Sequence, residues 1–130
     1  VEHTADRALR VWGEELVDLF VGAARGMCGL MARVEEAGTP LLKWHEVSLE
    51  SLDREGLLVD WLNELLYLTE VEGLIFCDFR IRSLSDTHLV ARIGGAPGEV
   101  TGAHIKAATF HDLEIEPADG GWATVITFDV

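Results

Sequence analysis

The chain has 130 residues, 48% hydrophobic and 25% charged, which suits one globular domain burying about two thirds of its unfolded surface and excludes a disordered chain. Ten Lys and Arg stand against 23 Asp and Glu, a formal net charge of −13, so stable sequence-independent nucleic-acid binding by the chain alone is not expected. No apolar run approaches the roughly 20 residues of a membrane span, no basic-then-apolar leader is visible, and Cys28 and Cys77 lack CxxC spacing, which together point to a cytoplasmic protein with buried free thiols.

The opening "HTADRALRVWG" reads as a loop and then a short strand, with Leu9 and Val11 on one face. From 14 to 33, Leu16, Phe20, Ala23, Ala24, Met27, Leu30 and Met31 recur at steps of three and four, the pattern of an amphipathic helix. Gly22, Gly26 and Gly29 allow close packing along it. "EEAGTP" breaks the pattern, and "KWHEVSLES" alternates around Trp44, Val47 and Leu49 as a strand. A second helix follows from 53 to 69 after a Ser or Asp cap, with Leu57, Leu58, Trp61, Leu62, Leu65 and Leu66 as its buried stripe and Asp60, Asn63 and Glu64 on its polar face. After Gly73 only strands remain: "LIFCDFRIRSL", "HLVARIG", "HIKAATFHDLEIE" and "WATVITFDV", joined by turn-forming "GGAPGEVTG" and "PADGG". The expectation is a single α+β domain over 1–130, with two helices packed on a largely antiparallel mixed β-sheet.

Three polar clusters could carry chemistry. They are "HTAD" at the start, "IKAATFHD" in the third of the late strands, and the terminal "FDV". Asp129 and the carboxylate of Val130 place two negative charges within one residue of each other, and Asp6 could add a third if the first and last strands pair. Hard divalent cations take several oxygen ligands of this kind. A solvated chain end is the ordinary alternative for an Asp so placed. The five histidines show neither HExxH nor i, i+4 spacing, and "IGGAP" lacks the Lys and following helix of a phosphate loop. An acidic domain suits metal cations or a basic protein surface, though solubility alone accounts for much of the charge.

Taken together, "HTAD", "LLVDWLNELLYL", "IKAATFHDLE" and the terminal "FDV" resemble the archease family, in family order and over nearly the full chain. "RALRVW" and the short "GGAPGEVTGAH" connection depart from the family pattern. The resemblance implies a small acidic accessory protein of the GTP-dependent RtcB-type RNA ligase, which joins RNA halves in tRNA splicing and RNA repair. It implies that the protein promotes guanylylation and multiple turnover of the ligase and is not itself an enzyme. It also implies a divalent-metal site, calcium being the expected occupant, built from Asp6, Asp129 and Val130. Lys106 and His111 fall in a family motif, and a partner or site-lining role is implied for them. Two other readings stay open: a metal-dependent hydrolase using Asp6 and Asp129 with His111 as base, and a general chaperone of nucleic-acid enzymes, which would need an exposed apolar patch.

Overall fold

The computed structural model describes residues 7–32 and 41–130. His3, Asp6 and the "EEAGTP" break therefore lie outside the described residues. In chain order the elements are β1 (Arg7–Gly13), α1 (Leu16–Met31), β2 (Lys43–Glu50), α2 (Arg54–Glu72), β3 (Leu74–Leu84), β4 (His88–Pro97), β5 (Ala107–Thr109), β6 (Glu116–Ala118) and β7 (Gly121–Asp129). The α+β class follows the sequence expectation, but the strands form two sheets. One has the order β1-β7-β5 with β6 also paired to β7, the other the order β2-β4-β3, and every pairing is antiparallel.

Both helices cover the inner faces of the two sheets. α1 packs on β1 and β3, and α2 on β5, β3 and β2. Most of the stripe read from the sequence is buried: Met27, Leu57, Leu58, Trp61, Leu62 and Leu65 are inaccessible to solvent, whereas Leu66 is half-buried and Val59, outside the stripe, is buried. Trp61 joins the helices, because its indole N–H donates to the Phe20 carbonyl at 3.0 Å while its ring meets Phe79 edge-on. Such a partner is what a buried indole requires.

Local chemistry sets the ends of α2. Asp53 caps the start by accepting from the Gly56 N–H at 2.7 Å, and Gly73 ends the helix at φ 65°, where a side chain would be strained. The end of α1 is closed from a distance: the N–H groups of Thr101 and Gly102 donate to the Met31 carbonyl and that of Ala103 to Leu30, satisfying carbonyls that a helix terminus leaves open. Gly26 lets α1 approach β1, since a Cβ there would stand 2.6 Å from the Leu9 side chain; Gly29 faces open space and has no such role.

Three expectations change. The segment 104–116 is not one strand: β5 ends at Thr109, a turn with Asp112 at φ 50° follows, and β6 begins at Glu116. Nominal alternation through Phe110 is therefore broken, and Phe110 is exposed. Trp44 lies on the face opposite Val47, because residues an odd number apart in a strand point to opposite sides. Cys77 is only half-buried, unlike Cys28; it falls at a β-bulge between Phe76 and Asp78, which turns a residue out of the ladder. The "PADGG" turn holds as read, with Asp119 and Gly120 both at positive φ joining β6 to β7.

Candidate functional site

The sequence of β7 alternates Thr124, Ile126 and Phe128 inward with Val125 and Asp129 outward. β7 is the central strand of its sheet. Arg7 of β1 pairs with Phe128 on one side, and Ala107 of β5 pairs with Asp129 on the other. The Lys106 N–H donates to the Asp129 carbonyl at 2.8 Å. Asp129 is exposed, and Val130 follows half-buried. Asp129 thus sits where the start of β1, the end of β7 and the start of β5 meet.

No described cation forms an ion pair with Asp129. Among the described residues no group of three or more His, Cys, Asp or Glu side chains could hold a metal ion. The donors that the described residues bring to this corner are oxygens, the type that hard divalent cations prefer over thiolate or imidazole. Asp6, bonded to Arg7 in the chain, is outside the described residues.

Lys106 and His111 part company. Lys106 reaches the Asp129 corner through its main chain, with its side chain exposed. His111 stands past the other end of β5, beyond Thr109, which pairs with Thr127. Its Nε2 lies 3.3 Å from the Asp112 carboxylate, and its main-chain N–H donates to Thr109 Oγ1.

What holds β5 in place is a residue that periodicity hid. Asn63 of α2 accepts from the Ala108 N–H at 2.8 Å through Oδ1 and donates to the Ala108 carbonyl at 3.2 Å through Nδ2. A primary amide reproduces the donor–acceptor pair of a neighbouring strand, so α2 substitutes for the missing partner on the open edge of a three-residue strand. The only signal in the sequence was an uncharged amide at a position flanked by Asp60 and Glu64. Further along, Glu55 accepts from the Ile115 N–H at 3.0 Å and ties the following turn to the same helix.

Beside the Asp129 corner a groove of about 810 Å³ runs between α2, through Leu66, Tyr67 and Glu70, and the connection carrying Val100, His104 and Lys106. Acidic residues gather near the turn after β5. A hydrogen bond with Glu116, then repulsion from Glu116, raises the pKa of Glu114 above the ordinary Glu value, with Glu55 and Asp112 adding to it.

The whole chain, residues 1–130, matches the Archease protein family. It is 33% identical to "Protein archease" of Methanosarcina mazei over 100% of this chain and 93% of that protein. It is 31% identical to "Protein archease" of Methanopyrus kandleri over 100% of this chain and 96% of that one. The solution structure of Methanobacterium thermoautotrophicum protein 1598 superposes with a TM-score of 0.73 at 29% identity, covering 100% of this chain and 96% of that one. A crystal structure from Thermotoga maritima, described as an archease and possible chaperone, has the same fold with a TM-score of 0.73 at 22% identity, covering 100% and 94% of the two chains. With the family matched from end to end and relatives above 30% identity, the chain belongs to the archease family.

Proposed function

We propose that the protein is a non-catalytic accessory factor of an RtcB-type GTP-dependent RNA ligase, promoting guanylylation and multiple turnover of the ligase through a divalent-metal site at the end of β7. The observation that carries this reading is the meeting of three strand ends around an outward carboxylate, Asp129, with which no described cation pairs, in a member of the archease family. Asp129, the main-chain carboxylate of Val130 and Asp6 are the ligands in this reading, and calcium is the occupant. When bound, the ion would supply a positive charge that attracts phosphate oxygens. The chain's own residues do the rest. Asn63 ties the outer edge of β5 to α2 while the Lys106 main chain joins β5 to β7 beside Asp129, and a net charge of −13 steers the domain toward a basic, RNA-binding partner surface. The Lys106 side chain and the adjoining groove are available to that partner. The hydrolase reading is less well supported, since its base, His111, stands at the far end of β5 with Asp112 as neighbour.

The test uses Asp6→Ala, Asp129→Ala and a C-terminal extension that converts the Val130 carboxylate to an amide. All three should abolish calcium binding by calorimetry and stimulation of the ligase, while the melting curve without metal stays nearly unchanged. An N-terminal tag should be tolerated. Full stimulation by the extended protein removes Val130 from the site, and divalent-dependent phosphodiester hydrolysis by the isolated protein overturns the accessory reading.

A further inference from the structure

In a chain with ten basic residues against 23 acids, three arginines converge on one face. The outer side of the β2-β4-β3 sheet carries Arg80 directly opposite Arg92, and Arg92 directly opposite Glu46. Two like charges facing each other across strands are unfavourable, so the pair needs compensation. Trp44 supplies part of it, as the guanidinium carbons of Arg80 and Arg92 each lie 4.7 Å from its ring centroid. Gly94 makes room for the indole, because a Cβ there would stand 3.0 Å from two ring atoms.

The acids on this face do not close it. Asp78 takes Arg80 through two hydrogen bonds of 3.1 and 3.3 Å. Arg82 and Arg92 approach Glu46 only to 3.9 Å, beyond hydrogen-bond reach. Among the described residues neither guanidinium has a hydrogen-bond partner, their side chains are 58% and 39% exposed, and the buried Val47, Leu89, Ala91 and Ile93 face the opposite, inner side. Forked donors match phosphate oxygens, and planar guanidinium and indole groups offer stacking surfaces to unpaired bases. An acidic peptide would use the forks but not the stack.

We propose that this face is a weak docking surface for single-stranded RNA, with Arg82 and Arg92 taking phosphate oxygens and the Trp44–arginine stack taking a base. The overall charge opposes RNA, so binding by the isolated protein is weak and steeply salt-dependent. Two or three phosphate contacts on a single strand correspond to a loss of about 20- to 70-fold in affinity between ~20 and ~150 mM salt. That leaves no measurable retention at physiological salt. The inference stands apart from ligase activation, because its readout is RNA binding by this chain alone.

The experiment is fluorescence anisotropy of a labelled ten-nucleotide single-stranded RNA, with thermal melts as a check on folding. At ~20 mM salt the parent protein binds, and Arg82→Gln with Arg92→Gln weakens binding about tenfold or more and flattens the salt slope by about 1.4. Trp44→Leu, made separately, weakens binding while leaving that slope in place. No binding at low salt, or unchanged binding in all of these folded variants, overturns the proposal. Oligoglutamate of equal charge that binds as tightly as the RNA overturns it in favour of an acidic protein partner.

Discussion

Replacing Asn63 by Leu is the sharpest test of how the Asp129 corner is built. The two side chains are similar in size, so the helix and its packing persist while both bonds to Ala108 are lost. Leaving a buried donor or acceptor without a partner costs about 1–3 kcal/mol. Ala108 is 4% exposed, but Asn63 is only partly buried and water can reach its position. The lower end of the range for each group gives about 2 kcal/mol in total. Unfolding entropy of about 2.1 cal/mol/K per residue amounts to ~0.27 kcal/mol/K for 130 residues. The melting temperature should therefore fall by about 7 °C. Amide exchange should localise the damage: Ala108 loses protection, whereas Ile126 in the sheet centre keeps it. Asn63→Asp should be comparably harmful near neutral pH, because a carboxylate faces the Ala108 carbonyl, and should partly recover when the acid is protonated and able to donate. A melting temperature for Asn63→Leu within 1 °C of the parent's (about 0.3 kcal/mol), with Ala108 exchange unchanged, would refute the claim that α2 supplies the missing strand partner.

Trp61→Ala should destabilise the protein by about 3–5 kcal/mol in denaturant titration, as a large-to-small change in a fully buried position. Burial, with the nearby Cys77 thiol adding to it, pushes the Cys28 thiol up to about 12, so a maleimide at neutral pH should modify Cys77 first and Cys28 only on unfolding. Glu114 has its pKa raised in the fold by Glu116, so the folded state binds its proton more tightly than the unfolded state does. Stability from this group is present below the ordinary Glu value, about 4.3, and is lost as pH rises through the raised value. Glu114→Gln should therefore melt higher than the parent at neutral pH, with the difference shrinking toward about pH 3.5, below that ordinary value.

The helices were legible because their signal is local and redundant. Six apolar residues from Leu57 to Leu66 fall on one face, Asp53 caps the start and Gly73 closes the end. The division into two sheets was not legible, because pairing partners such as Val11 and Thr124 are far apart in the chain and strand pattern alone does not name them. The stretch 104–116 misled for a different reason: it reads as one strand although its odd-numbered residues make no clean face, and the decisive feature of the turn within it is the left-handed backbone of Asp112. At the candidate site, Asp129 stood out as an acid at the end of an apolar strand. Asn63 did not, since a residue that satisfies a distant backbone looks like any other polar residue on a helix surface until its partner is placed.

The position of β7 between β1 and β5 has a consequence for how the molecule comes into being. Strands β2, β3 and β4 are contributed by residues 43–97 and are joined by antiparallel pairing within that segment, so they can associate while synthesis continues. The other sheet has no such early form. β1 is made near the beginning, yet its partner is residues 121–129, which leave the ribosome after all the other strands. Until then β1 has no strand partner, although α1 packs on it and on β3, and completing the sheet closes a loop of more than 100 residues. The carboxylate of Asp129 thus reaches its place in the same event that completes the core, so every molecule able to present that corner has already finished folding.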